Sequence, residues 1–121
     1  MTEEERYELY REESKALAAI GEYVHAQVGR VTVRLPRVVA QAAVDAWERD
    51  DPEGELGEET REQYELRDQA GNVALIGLAI SEDGRWEGDE VVVDLHVHSA
   101  GAAWLSYADA AGADYRPRPS E

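Results

Sequence analysis

The sequence predicts a small α+β domain of about four helices with two short strands, at residues 31–35 and 91–97. Three observations carry that prediction. Several stretches repeat their apolar residues at helical intervals behind capping residues, two short runs alternate valine with polar residues, and turn-rich acidic segments separate them.

The first helix is expected over about residues 3–28. Thr2-Glu3-Glu4-Glu5 has capping-box spacing, and Glu3, Glu4, Glu5 and Glu8 face the positive end of the helix dipole. Tyr10, Leu17, Ile20, Val24 and Val28 then recur on one face, Gly21 is placed to bend the helix, and Gly29 is placed to end it. Val31, Val33 and Leu35 alternate with Thr32 and Arg34 as a strand. Pro36 blocks extension of a central strand and suits a helix entrance. Behind it Val38, Val39, Ala42, Ala43, Ala46 and Trp47 form an apolar stripe, and the helix is expected to end near Asp50, before Asp51-Pro52.

Residues 50–59 read as an acidic Gly/Pro loop. Thr60-Arg61-Glu62-Gln63 is a second capping box, and Leu66, Ala70, Val73, Gly77 and Ile80 continue a helical stripe over about 60–81. The rival reading makes 64–80 a hairpin turning at Gln69-Ala70-Gly71-Asn72, which would give a three-stranded domain. Gly71 in mid-helix costs about 1 kcal/mol, which is the weakness of the helical reading. SEDGRWEGDE at 81–90 is a turn-rich connector, and AGAAWLSYADAAG is a small-residue helix ending at Gly112. The domain is expected to span 1–115, with 116–121 a frayed tail.

One internal relation is visible. VTVRLPRVVAQAAVDAW and VVVDLHVHSAGAAWLSY align without gaps, setting Val31, Val33, Leu35, Ala42, Ala43 and Trp47 opposite Val91, Val93, Leu95, Ala102, Ala103 and Tyr107. Arg34 falls opposite Asp94. Two such strands are placed to pair, each feeding a helix onto the same face; chance similarity in an alanine-rich chain is the competing explanation.

Twelve basic against 27 acidic residues give a net charge of −15. That charge repels phosphate backbones and anionic lipid surfaces, so no direct nucleic-acid or membrane partner is expected. The longest apolar run, VALIGLAI, is far shorter than the roughly 20 residues of a membrane span. The acidic MTEEERYELYREE start differs from a secretion signal, and the chain has no cysteine, which together suit a cytoplasmic protein. Arginine supplies eleven of the twelve basic residues, and with abundant Ala, Gly, Glu and Val this suggests a high-GC bacterial source.

The most pointed chemical string is Asp94-Leu95-His96-Val97-His98-Ser99. On a strand, Asp94, His96 and His98 share one face, and a carboxylate with two imidazoles suits zinc, iron or manganese. The string resembles the first metal-binding motif of the PHP (polymerase and histidinol phosphatase) phosphoesterases, and the resemblance implies a metal-dependent hydrolase. In that family more ligands follow over a long stretch, whereas here 22 residues follow Ser99 and none is histidine. His25 is the one other histidine. VTVRLP and the helices after it resemble a ribbon-helix-helix repressor, which would make Thr32 and Arg34 base readers. No nucleophile elbow, phosphate loop or dinucleotide fingerprint is present.

Residues 45–68 hold eleven acids and three arginines, a distribution that on one surface would mimic a phosphate backbone. Trp47 and Trp104 are expected in the core, with Trp86 exposed. The expectation is a non-catalytic accessory or regulatory protein without a cofactor, binding a protein partner and capable of forming a homodimer. The alternatives are a metal-dependent enzyme or metal-binding protein using His96 and His98, and an acidic nucleic-acid mimic that sequesters a basic partner.

Overall fold

The computed structural model describes residues 2–26, 32–49 and 58–111. Val28, Gly29, Val31, the acidic stretch at 50–57, Gly112 and the tail at 116–121 lie outside the described residues, as does the side chain of His25. Within them the order is α1 (Glu3–Ala26), β1 (Thr32–Pro36), α2 (Arg37–Glu48), α3 (Arg61–Asp83), β2 (Arg85–Glu87), β3 (Glu90–Asp94) and α4 (Val97–Ala111). This is the small α+β architecture expected, with four helices packed on one antiparallel sheet.

Both sequence-read caps form. The Thr2 hydroxyl accepts from Glu5 N at 3.1 Å. At the start of α3 the Thr60 hydroxyl accepts from Gln63 N, while the Gln63 side chain accepts from Thr60 N. These reciprocal bonds satisfy donors that a helix start otherwise leaves bare. The region 64–80 is therefore helix, and the hairpin alternative for it is wrong.

The sheet does have three strands, in the order β1-β3-β2, but the third comes from the segment read as a connector. Glu87 pairs with Glu90 across Gly88-Asp89, and Gly88 has φ +66°. A glycine with positive φ at the first turn position allows a two-residue hairpin to follow the strand twist. The strand expected at 91–97 is displaced: it runs from Glu90 to Asp94, and Val97 already belongs to α4.

The pairing expected between the two valine strands is present. β1 and β3 run antiparallel with Val33 opposite Val93 and Leu35 opposite Val91. These four side chains are buried against the helices, whereas Thr32, Arg34, Glu90 and Asp94 point the other way, onto an open sheet face. Leu17, Ile20 and Val24 of α1, Val73, Ile76 and Ile80 of α3, and Trp104 of α4 complete the core.

The internal relation extends well beyond the strands. In α1, an ideal Cβ on Gly21 would lie 1.9 Å from the Ala103 carbonyl oxygen and 2.7 Å from Tyr107 Cβ. In α3, one on Gly77 would lie 2.0 Å from the Ala43 carbonyl oxygen and 3.0 Å from Trp47 Cβ. Ala43 and Trp47 are the aligned counterparts of Ala103 and Tyr107. Leu17, Ile20 and Val24 stand before and after Gly21 as Val73, Ile76 and Ile80 stand around Gly77. The described residues thus form two α-β-α halves with reciprocal helix crossings, α1 on α4 and α3 on α2, and the Val33–Val93 pair between them. Among the described residues the β2 hairpin occurs in the second half.

That geometry corrects the reading of α2. Its buried residues are Ala40, Ala43 and Ala46; Val38 is 83 % exposed and Trp47 44 %. Close approach of α2 to α3 at Gly77 leaves room for alanines at the centre of the contact, so Val38 turns outward and the Trp47 ring lies half-exposed at its edge, while Val39 stays half-buried against the core. Trp104 is buried as expected.

Candidate functional site

Beside α3, where β3 hands over to α4, lies an open groove of about 580 Å³. Its apolar lining comes from Leu75, Ile76, Leu78 and Ala79 of α3 and from Leu95; Glu82, Asp83, Asp94, His96, His98 and Ser99 supply the polar atoms. The three residues singled out from the sequence as metal ligands therefore meet in one groove.

They do not converge on a point. Asp94 ends β3, and its carboxylate accepts from the Thr32 hydroxyl across the strand pair. His96 has left the strand. Its carbonyl accepts from Ala100 N at 2.9 Å and its Nδ1 from His98 N at 3.2 Å, so it is the N-cap of α4. His98 stands in the first turn of that helix. The period-two argument fails because the strand ends before either histidine. Among the described residues, no three His, Asp or Glu side chains are grouped to hold a metal ion.

Ser99 is 2 % exposed and donates to Asn72 Oδ1 at 3.4 Å. Asn72 is itself 4 % exposed and donates to the Asp68 carbonyl at 3.1 Å. This buried polar bridge joins α3 to α4 and explains an asparagine in mid-helix, since a buried amide is tolerated when its hydrogen bonds are met. It also leaves Ser99 with an amide and not a base for a neighbour, which is no arrangement for a nucleophile.

Arg34 and Thr32, the base readers that a ribbon-helix-helix protein would present, are occupied. Arg34 meets Glu87 at 3.3 Å and Glu90 at 3.7 Å on the open sheet face. Trp86 is half-exposed, with the Arg37 guanidinium 4.5 Å from its ring centroid.

A second polar cluster ties the end of the acidic stretch to the helices. Tyr7 Oη donates to Glu59 Oε2 at 2.5 Å, and Arg67 grips the same carboxylate at 2.8–3.1 Å. Burial first, and then the bond to Glu59, push the Tyr7 phenol up to about 12. The bonds from Arg67 and Tyr7 hold Glu59 below its ordinary 4.5. The cluster fastens α1 to α3.

The groove's α3 wall was missed in the sequence, though a signal for it exists. VALIGLAI is apolar around the whole circumference of a helix, more than one buried face can use. Val73, Ile76 and Ile80 go to the core, and Leu75, on another face, is left 52 % exposed. Comparison with protein-family models, curated proteins and solved structures finds no match for the chain. The class defined by fold and site is thus a small α+β domain of two α-β-α halves, with an open groove beside α3 where β3 meets α4.

Proposed function

We propose that this is a non-catalytic cytoplasmic accessory protein of bacterial origin that acts by binding another macromolecule, and that the α3–α4 groove is its binding surface. One observation carries the proposal: an open groove whose apolar wall includes a half-exposed leucine, while Asp94, His96 and Ser99 are already engaged in holding the fold together. Apolar surface gathered in a groove marks an interaction site, whereas singly scattered apolar residues need no explanation. Among the described residues no helix is long and apolar enough to cross a membrane.

The test is cross-linking in native cells with a photoreactive residue at position 75, set against one at Val38 on α2. A discrete protein adduct from position 75 and none from Val38 supports the role; no adduct from either position refutes it. Metal analysis of the purified protein and of a His96→Ala/His98→Ala variant addresses the metal reading. Stoichiometric metal lost in the variant would overturn the non-catalytic proposal.

A further inference from the structure

The groove is longer than one depression. Leu75 and His98 also line the next hollow along α3, which continues past Asn72 and Gly71 to Arg67. From Arg67 to Asp83 the α3 wall spans about 24 Å, at roughly 1.5 Å per residue. That length suits a segment of polypeptide and exceeds the needs of a small metabolite.

The second observation is Gly71. Gly21 and Gly77 are explained by helix crossings, where a methyl group would strike a carbonyl oxygen. At Gly71 a Cβ would meet nothing within 4 Å, and the residue is exposed in the middle of α3. Mid-helix glycine is unfavourable, so its presence lacks an explanation inside the fold. At Gly21 and Gly77 the missing side chain lets the backbone of another helix come close; Gly101 in α4 is open like Gly71, but Gly71 alone of the two lines the groove.

The third is charge. The groove at the Asp83 end has Glu82, Asp83 and Asp94 in its lining and no lysine or arginine, whereas neighbouring depressions contain Arg11, Arg49 or Arg67. The aligned positions of the first half carry Arg34 for Asp94, Pro36 for His96 and Val38 for His98. The acidic, imidazole-bearing end therefore belongs to the second half alone.

We infer that this groove receives an amphipathic helix of a protein partner, crossing close at Gly71, with its apolar stripe on Leu75 and Leu78 and its lysines or arginines toward Glu82, Asp83 and Asp94. The inference rests on the binding role proposed above and specifies its partner. Helix-in-groove recognition reads apolar anchors at three- and four-residue spacing, and charges at one end set the direction of the bound helix.

The probe is an idealised leucine–lysine amphipathic helix of about four turns, titrated into the full chain and followed by amide chemical shifts. Shifts concentrated at Gly71, Leu75, Ala79, Glu82 and His98 are expected. Leu75→Asp separates groove docking from general attraction to an acidic protein, because it adds negative charge while removing the apolar contact. Docking requires about tenfold weaker binding or worse, the loss typical of a central anchor. Gly71→Ala, which should raise the melting temperature of the free protein, is expected to weaken binding as well.

No binding, shifts spread over the acidic surface, or binding that Leu75→Asp leaves unchanged or strengthens would overturn the inference. A native partner that still cross-links when the leucine–lysine helix fails would leave the binding role standing and remove only this choice of partner. Loss of both would remove the role itself.

Discussion

The first half of the molecule, α1-β1-α2, and the second, α3-β3-α4, build their packing from the same parts and their surfaces from different ones. Each contributes three aliphatic side chains around a helix glycine, a valine to the central strand pair, and an alanine whose carbonyl faces the other half's glycine. They part company where strand becomes helix. In the first half Pro36 sits at the helix entrance and makes no side-chain cap bond. In the second His96 takes that position and caps with its ring. The first half seals its α1–α2 seam with an ion pair, Arg49 Nε standing 2.7 Å from Glu13 Oε1. The aligned positions of the second half hold Gln69 and Asp109, and Gln69 instead accepts from the Ser14 hydroxyl. What the two halves share is close contact between backbones, where a side chain has no room; where they differ is the rim, where the packing sets no such limit.

The most direct way to break the comparison is at the crossings. Gly21→Ala and Gly77→Ala should each cost at least about 2 kcal/mol, since a methyl group there forces helices apart. The two losses should be alike. Denaturant unfolding measures both, and a large disparity would show that the crossings are not equivalent.

Next comes a feature present on one side only. Glu13→Gln leaves Arg49 facing a neutral amide in a seam where the two side chains are 9 % and 18 % exposed. The expected loss is about 2 kcal/mol, below the roughly 3–5 kcal/mol for a fully buried pair. Gln69→Glu in the other half should gain nothing, because its aligned partner is the acidic Asp109. The same melts measure this.

The helix entrances give a smaller contrast. His96→Ala should cost about 1 kcal/mol through the lost cap, and His96→Asn should recover most of it. Pro36→Ala has no cap bond to lose and should fall well short of that. Equal losses at the two positions would refute capping by the His96 ring.

The smallest expected effect is the pH dependence of the Tyr7–Glu59–Arg67 cluster. Glu59 titrates below its ordinary value when folded, so its contribution is complete above about pH 4.5 and is lost as pH falls through the depressed value. Tyr7 is the opposite case. Its raised phenol contributes fully below its ordinary value of 10 and loses that contribution as pH rises through about 12. Glu59→Gln should flatten the acid limb of melting temperature against pH, and Tyr7→Phe the alkaline limb.

Much of this was legible beforehand, for identifiable reasons. Thr2 and Thr60 announced helix starts because a cap is a local arrangement of four residues. Val33 and Leu35 announced an inward face because strand side chains alternate. The alignment of VTVRLP with VVVDLH anticipated the strand pair. The β2 hairpin was passed over because Arg85–Glu87 is too short to alternate visibly, although Gly88-Asp89 has the composition of a two-residue turn. His96 was misread for a related reason: a histidine that ends a strand and one that caps a helix have the same neighbours in sequence.

The sequence by itself determined where α1, α2 and α3 begin, which residues of the two valine strands face inward, and that the whole is a small acidic α+β domain, because each of these follows from local hydrogen bonding or residue periodicity. Only the tertiary structure decided which side of α2 is buried, that Asp94, His96 and His98 line a groove without converging, and that Gly71 has no partner inside the fold. Those facts depend on how closely two helices approach at Gly21 and Gly77, a distance set by packing between residues far apart in the chain.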